Sequence, residues 1–189
     1  RPDPRPGPDW LPDGGRRRPR VHAPAVPRRP GNLGAILRTA ECTGVTGIVL
    51  PRHRSVHISP TVTKAAAGAV EHLPMALVGG IPAALATLSA GGVTTVGLDA
   101  GGADSIFTTP VLDDGPVALV LGAEGRGLSR LVRTRVDTLV AVPLRGSLNS
   151  LNVSAAAAVA CFEVVRRRPT DDHPFLTDPT PRADGGSCD

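Results

Sequence analysis

Residues 117–127 read VALVLGAEGRG. The first five residues, Val117 to Leu121, are apolar without interruption. A strand with one face in water alternates apolar and polar residues, so an unbroken run of this length predicts a strand covered on both faces. Gly122, Gly125 and Gly127 then predict a tight turn. A strand covered on both sides belongs in a parallel sheet with helices packed above and below.

Working outward, strand and helix patterns alternate. Residues 47–50, 74–78, 93–98 and 138–142 predict further strands. Between them, residues 33–43 place Leu33, Ile36, Leu37 and Ala40 at helical spacing, with Asn32 in the N-cap position and Gly44 as the stop. Pro60 opens a helix of small residues, as proline suits the first helical position. Residues 81–90 form another, closed by Gly91-Gly92, and a short helix follows near 128–134. A long Ala-rich helix over 151–167 is ended by Pro169. The pattern predicts an α/β fold with a mostly parallel sheet and flanking helices.

The domain carrying this pattern spans 32–168. Residues 1–31 hold 8 Arg against 3 Asp and many prolines, predicting an irregular or disordered basic arm. Residues 169–189 hold 1 Arg against 5 Asp, predicting a disordered acidic tail. The net charge of +4 and pI near 9.7 therefore come partly from the arm. With only 1 Trp, 3 Phe and no Tyr, the core must be built from Ala, Val, Leu and Ile. Cys42, Cys161 and Cys188 have neither CxxC spacing nor even number, so no disulfide framework or zinc site is expected. Arg52 and Arg54 flank His53, which disfavours a cation held with His57. No metal, no membrane span and a cytoplasmic location are the expectations.

Three segments carry chemistry. The first is Asn32-Leu-Gly-Ala-Ile-Leu-Arg38, which sets an arginine inside a small, apolar helix. The second is Leu121-Gly-Ala-Glu-Gly-Arg-Gly127, directly after the buried strand, and the third Val142-Pro-Leu-Arg-Gly-Ser-Leu-Asn-Ser-Leu-Asn-Val-Ser154, running from a strand into the last helix. Each has an ordinary structural explanation. A helical arginine commonly lays its stem on apolar neighbours and its charge in water. A strand followed by glycines is commonly a turn, and Ser150 or Asn152 is a natural helix cap. The glycines of the second segment lack the GxGxxG spacing of a dinucleotide fold, and no Gly-Lys-Ser/Thr of a P-loop is present.

In this order and at these separations, the three segments resemble the SpoU/TrmH-type branch of the SPOUT RNA methyltransferases. Asn-x-Gly-x-x-x-Arg matches Asn32, Gly34 and Arg38; Gly-x-Glu-Gly-x-Gly matches Gly122, Glu124, Gly125 and Gly127; Ser-Leu-Asn-Val-Ser matches Ser150 to Ser154. KAAAGAVEHLP, Lys64 to Pro74, resembles the segment between the first two motifs. Within the branch the chain looks most like the enzymes that methylate a guanosine ribose in large-subunit ribosomal RNA.

The resemblance implies a trefoil knot near the C-terminus, a homodimer, an RNA partner and S-adenosyl-L-methionine as cofactor. The cofactor-binding positions it implies are Leu98, Ala100, Gly122, Val142, Leu144 and Leu151. The catalytic ones are Arg38, Asn32, Glu124, Ser150 and Asn152. The run Ala155–Ala158 would allow close helix packing in a dimer, or is simply good helix former. The implied reaction is 2′-O-ribose methylation of RNA, on a 23S ribosomal RNA guanosine. Transfer RNA ribose methylation, a non-catalytic RNA-binding relative and a plain nucleotide-binding module are the competing readings. One departure stands out. The family has an apolar strand just before Asn32, but prolines 19, 24, 27 and 30 make residues 16–31 unfit for a central strand.

Overall fold

The computed structural model describes residues 29–52, 58–123 and 127–168. The arm and the acidic tail expected from composition lie outside the described residues, apart from 29–31. Helix α1 (Pro30–Cys42) leads into strand β1 (Ile48–Pro51), α2 (Pro60–Ala66), β2 (Met75–Val78), α3 (Ile81–Ala90) and β3 (Thr94–Leu98). A two-residue strand β4 (Asp104–Ser105), β5 (Val117–Val120), α4 (Arg130–Arg133), β6 (Thr138–Ala141) and α5 (Val153–Arg167) complete the order.

Among the described residues every strand pairing is parallel. β1 pairs with β2, and a four-stranded sheet runs β4-β6-β3-β5. β5 is buried at all four positions, as its unbroken apolar sequence predicts. Among the described residues β1 and β5 each have a strand neighbour on one side only. Among the described residues no ladder joins the two sheets.

α1 buries Leu33, Ile36, Leu37 and Ala40 in the main core, with β1, β5 and α5. Complete burial of side chains such as Leu33 and Leu37 contributes about 1.5–3 kcal/mol each. The helix begins earlier than the sequence indicates. Pro30 occupies its first turn and Arg29 is the N-cap, without a side-chain cap bond. Asn32 is therefore not the cap but a residue inside the first turn, and its amide is left for other partners. Pro30 explains the shift, since its fixed φ suits the first helical turn. Gly44 follows the last turn with φ of +69°. Gly34 sits where α1 crosses α2, and a Cβ there would run into Ala65.

The C-terminal end of α5 is clamped to the linker between β4 and β5. Arg167 Nη1 donates to Thr109 O and Asp113 Oδ1, both at 2.6 Å. Arg168 donates to Leu112 O, Gly115 O and Asp114 O. Glu163, its side chain 5% exposed, accepts from Arg166 and Arg167 at 2.7–2.8 Å. The nearby Cys161 thiol is pushed up to about 12 by burial, against a smaller lowering from a hydrogen bond with Thr43. Such a thiol is inert at neutral pH.

Candidate active site

In a parallel sheet, ligands collect at the carboxyl ends of the strands. Here three strand ends open on one cavity of about 620 Å³. β3 delivers Leu98, Asp99 and Ala100; β5 delivers Leu121, Gly122 and Ala123; β6 delivers Val142 and Leu144. The segment into α5 adds Asn149 to Val153. All six residues expected at a cofactor, Leu98, Ala100, Gly122, Val142, Leu144 and Leu151, line this cavity.

Close backbone approach shapes its walls. A Cβ on Gly122 would collide with the backbone of Gly127 and Leu128. Ala123 and Gly127 exchange two backbone hydrogen bonds, of 3.0 and 2.9 Å. Glu124 and Gly125, expected at the site, lie outside the described residues. Behind the β3 residues of the wall, in the loop that follows them, a Cβ on Gly102 would stand 2.5 Å from Val140 C. The loop after β3 is thus seated directly on β6.

Two of the expected catalytic side chains meet. Asn152 Nδ2 donates to Asn32 Oδ1 at 3.3 Å, across 120 residues of sequence. Asn152 also caps α5, its Oδ1 accepting from Ser154 N at 2.8 Å and from Ser154 Oγ at 2.7 Å. The helix-cap explanation and the site explanation of Asn152 therefore both hold, through different atoms of one amide. Ser150 and Asn152 line the cavity. Arg38 does not: it is exposed on α1, six residues beyond Asn32 and so about 9 Å further along the axis.

Sequence reasoning passed over Asp99 and Arg133. Arg133 Nη1 donates to both carboxylate oxygens of Asp99 at 2.8 Å, and both residues border the cavity. The available signal was an acid directly after a buried strand. Asp137, which precedes β6, has a structural role: its Oδ2 accepts from Thr95 N and Oγ1, both at 2.7 Å. Among the described residues no cluster of His, Cys, Asp and Glu could hold a metal, and no helix is long and apolar enough to cross a membrane.

A parallel α/β sheet with a cavity over three of its strand ends is the frame on which α/β enzymes hold their ligands. The chain belongs to the SpoU rRNA Methylase family, whose model matches residues 25–162. It is 42% identical over 141 residues to the putative TrmH family tRNA/rRNA methyltransferase YacO of Bacillus subtilis, covering 74% of this chain and 55% of YacO. The chain thus spans about half the length of this curated relative. Among solved structures, it matches the SpoU methyltransferase AviRb of Streptomyces viridochromogenes in complex with AdoMet, with TM-score 0.76 and 29% identity, covering 85% of this chain and 61% of AviRb. An RNA 2′-O ribose methyltransferase matches with TM-score 0.71 and 28% identity, covering 84% of this chain and 60% of that one.

Proposed function

We propose that this chain transfers a methyl group from S-adenosyl-L-methionine to a ribose 2′-hydroxyl of RNA, with a guanosine of 23S ribosomal RNA as substrate. The observation that carries this reading is the Asn32–Asn152 hydrogen bond, which joins the first motif to the third beside a cavity framed by three strand ends.

The residues present fit the cofactor. A cavity of about 620 Å³ is in the range that takes nucleotide-sized ligands. Leu98, Leu121, Val142 and Leu151 offer an apolar bed for an adenine, and the seating of Gly122 brings backbone groups to its edge. Bound there, the cofactor supplies an electrophilic methyl group on a sulfonium.

The chain's own task is to activate the hydroxyl, a poor nucleophile when neutral. Arg38 is the residue for this. Its guanidinium does not act as a base, because it offers a fork of N–H donors and no acceptor for a proton. It grips a substrate phosphate and the 2′-oxygen together, stabilising the negative charge that develops as the hydroxyl proton leaves to water. Glu124 is the residue to orient this arginine, and Asn32, tied to Asn152, shapes the pocket with Ser150. Exposure of Arg38 on α1 supports an encounter with a large substrate from outside.

The reading extends to the assembly. A homodimer is supported by the exposed apolar side chains Leu144, Leu148, Leu151 and Phe162 around the site and α5. The trefoil thread belongs to the same proposal, supported by β6 lying between β3 and β4 and by the seating of Gly102 on Val140. So do a cytoplasmic location and a catalytic domain spanning 32–168.

The test is calorimetric titration with S-adenosyl-L-methionine, NAD and ATP, followed by transfer of a tritiated methyl group onto total ribosomal and total transfer RNA. Binding of the methyl donor alone and label in ribosomal RNA are expected. Label in transfer RNA moves the substrate assignment, and donor binding without transfer makes the chain a non-catalytic relative. Binding of NAD or ATP instead refutes the reading.

A further inference from the structure

One cation in the cavity wall has no part in the reading above. Arg133, on α4, borders the cavity with its side chain 42% exposed. Its partner Asp99, directly after β3, has a side chain only 8% exposed. The pairing is lopsided. Nη1 alone makes both contacts, at 2.8 Å to each carboxylate oxygen. Asp99 Oδ1 further accepts from Gly101 N at 2.9 Å, so three hydrogen bonds occupy the carboxylate. A guanidinium carries five N–H donors. Among the described residues, Nε and Nη2 of Arg133 donate to none.

We infer that Arg133 recognises the carboxylate at the amino-acid end of the cofactor, and that Asp99 is the residue that positions it. This rests on the cofactor reading above. The adenosine half of that cofactor is flat and largely apolar, and suits the leucines and valine of the cavity. Its amino-acid half ends in a carboxylate, the cofactor's one anion, which is costly to bring out of water without charged donors. A planar arginine fork fits a carboxylate better than any other side chain does. Asp99 fixes one arm of the fork and leaves the remaining donors available at the cavity edge. An RNA phosphate is the other anion that could reach Arg133. The cavity position beside Leu98, Ala100 and Gly127 favours the smaller ligand.

Two ligands separate the roles in the absence of RNA. S-adenosylhomocysteine carries the amino-acid end; 5′-methylthioadenosine keeps the adenosine and thioether and lacks that end. Each is titrated calorimetrically into the full chain and its variants. Arg133→Gln weakens S-adenosylhomocysteine about 10- to 100-fold, as expected for hydrogen bonds to a charged group, and leaves methylthioadenosine within about twofold. Asp99→Asn produces a smaller loss with the same selectivity. The double variant D99N/R133Q leaves no unpaired buried carboxylate and still shows the selective loss, so a folding defect of the single variant does not decide the matter. Unchanged S-adenosylhomocysteine binding in Arg133→Gln overturns the inference, and loss of RNA affinity in its place assigns the arginine to phosphate. Equal weakening of both ligands overturns it too, by showing that the pair only shapes the cavity. A selective loss in Arg29→Gln, with none in Arg133→Gln, transfers the role to the other arginine of the wall. Failure of the unaltered chain to bind either ligand refutes the cofactor reading itself.

Discussion

Asn152 divides its amide between two jobs: the oxygen caps α5 through Ser154 N at 2.8 Å, and the nitrogen reaches Asn32 Oδ1 at 3.3 Å on α1. One side chain thereby starts a helix and ties the first motif to the third. The two jobs separate by substitution. Asn152→Ala loses the cap and costs about 1 kcal/mol of stability. Asn152→Asp keeps the cap acceptor, since aspartate caps as well as asparagine, and loses the donor to Asn32. Urea denaturation of the Asp variant should match the unaltered chain, while its methyl transfer falls about tenfold, the equivalent of one lost hydrogen bond. Equal activity in the Asp variant would show that the Asn32 contact is incidental.

Backbone seating at the cavity predicts a sharp contrast among glycines. Gly102→Ala and Gly122→Ala place a Cβ against the backbone of Val140 and of Gly127, which cannot rotate aside. Each should cost about 1–3 kcal/mol, as overpacking does, and weaken cofactor binding with it. Gly79→Ala has nothing within 4 Å of its added carbon and should leave both unchanged. Thermal denaturation with and without S-adenosylhomocysteine reads both effects.

Glu163 makes stability depend on acid. A hydrogen bond from Arg166 holds its carboxyl well down, burial opposes this, and Arg167 adds to the lowering; the result is about 2, against an ordinary 4.5. A depressed folded value means the unfolded chain takes up the proton first. The stabilisation is therefore complete above the ordinary value and fades as pH falls from about 4.5 towards 2. Melting temperatures of the unaltered chain and of Glu163→Gln should differ most near pH 6, with the variant lower, and converge in that acid window. A gap that stays constant down to pH 2.5 contradicts the ion-pair account of the α5 clamp.

Arg38→Lys keeps the positive charge and removes the fork. If Arg38 bridges a phosphate and the 2′-oxygen, turnover should fall about 100-fold or more, the size of effect seen when a preorganised donor is removed. Binding of S-adenosylhomocysteine should be unaffected, since Arg38 lies outside the cavity wall. Near-normal turnover would leave Arg38 with charge attraction alone.

Much of this was legible in the residues. The unbroken Val117–Leu121 run announced a doubly covered strand, and β5 is buried throughout. Pro60, Gly91 and the α1 stripe marked their helices because each acts locally, through φ, a missing donor or periodicity. Asn32 is not the cap because Pro30, whose fixed φ suits the first helical turn, starts the helix two residues earlier. β4 was invisible, since two residues carry no pattern. The order β4-β6-β3-β5 is likewise absent from local sequence, because pairing depends on how distant segments cross. The same limit hid the Asp99–Arg133 pair, whose partners are 34 residues apart and unremarkable singly.

Alkaline hydrolysis distinguishes a methyl group on a ribose oxygen from one on a base. Ribosomal RNA labelled by this chain with a tritiated methyl donor is digested with alkali, which cleaves RNA only where a 2′-hydroxyl is free. Ribose methylation leaves the label in alkali-resistant dinucleotides with guanosine on the 5′ side. Label released in ordinary mononucleotides would place the methyl group on a base and contradict it.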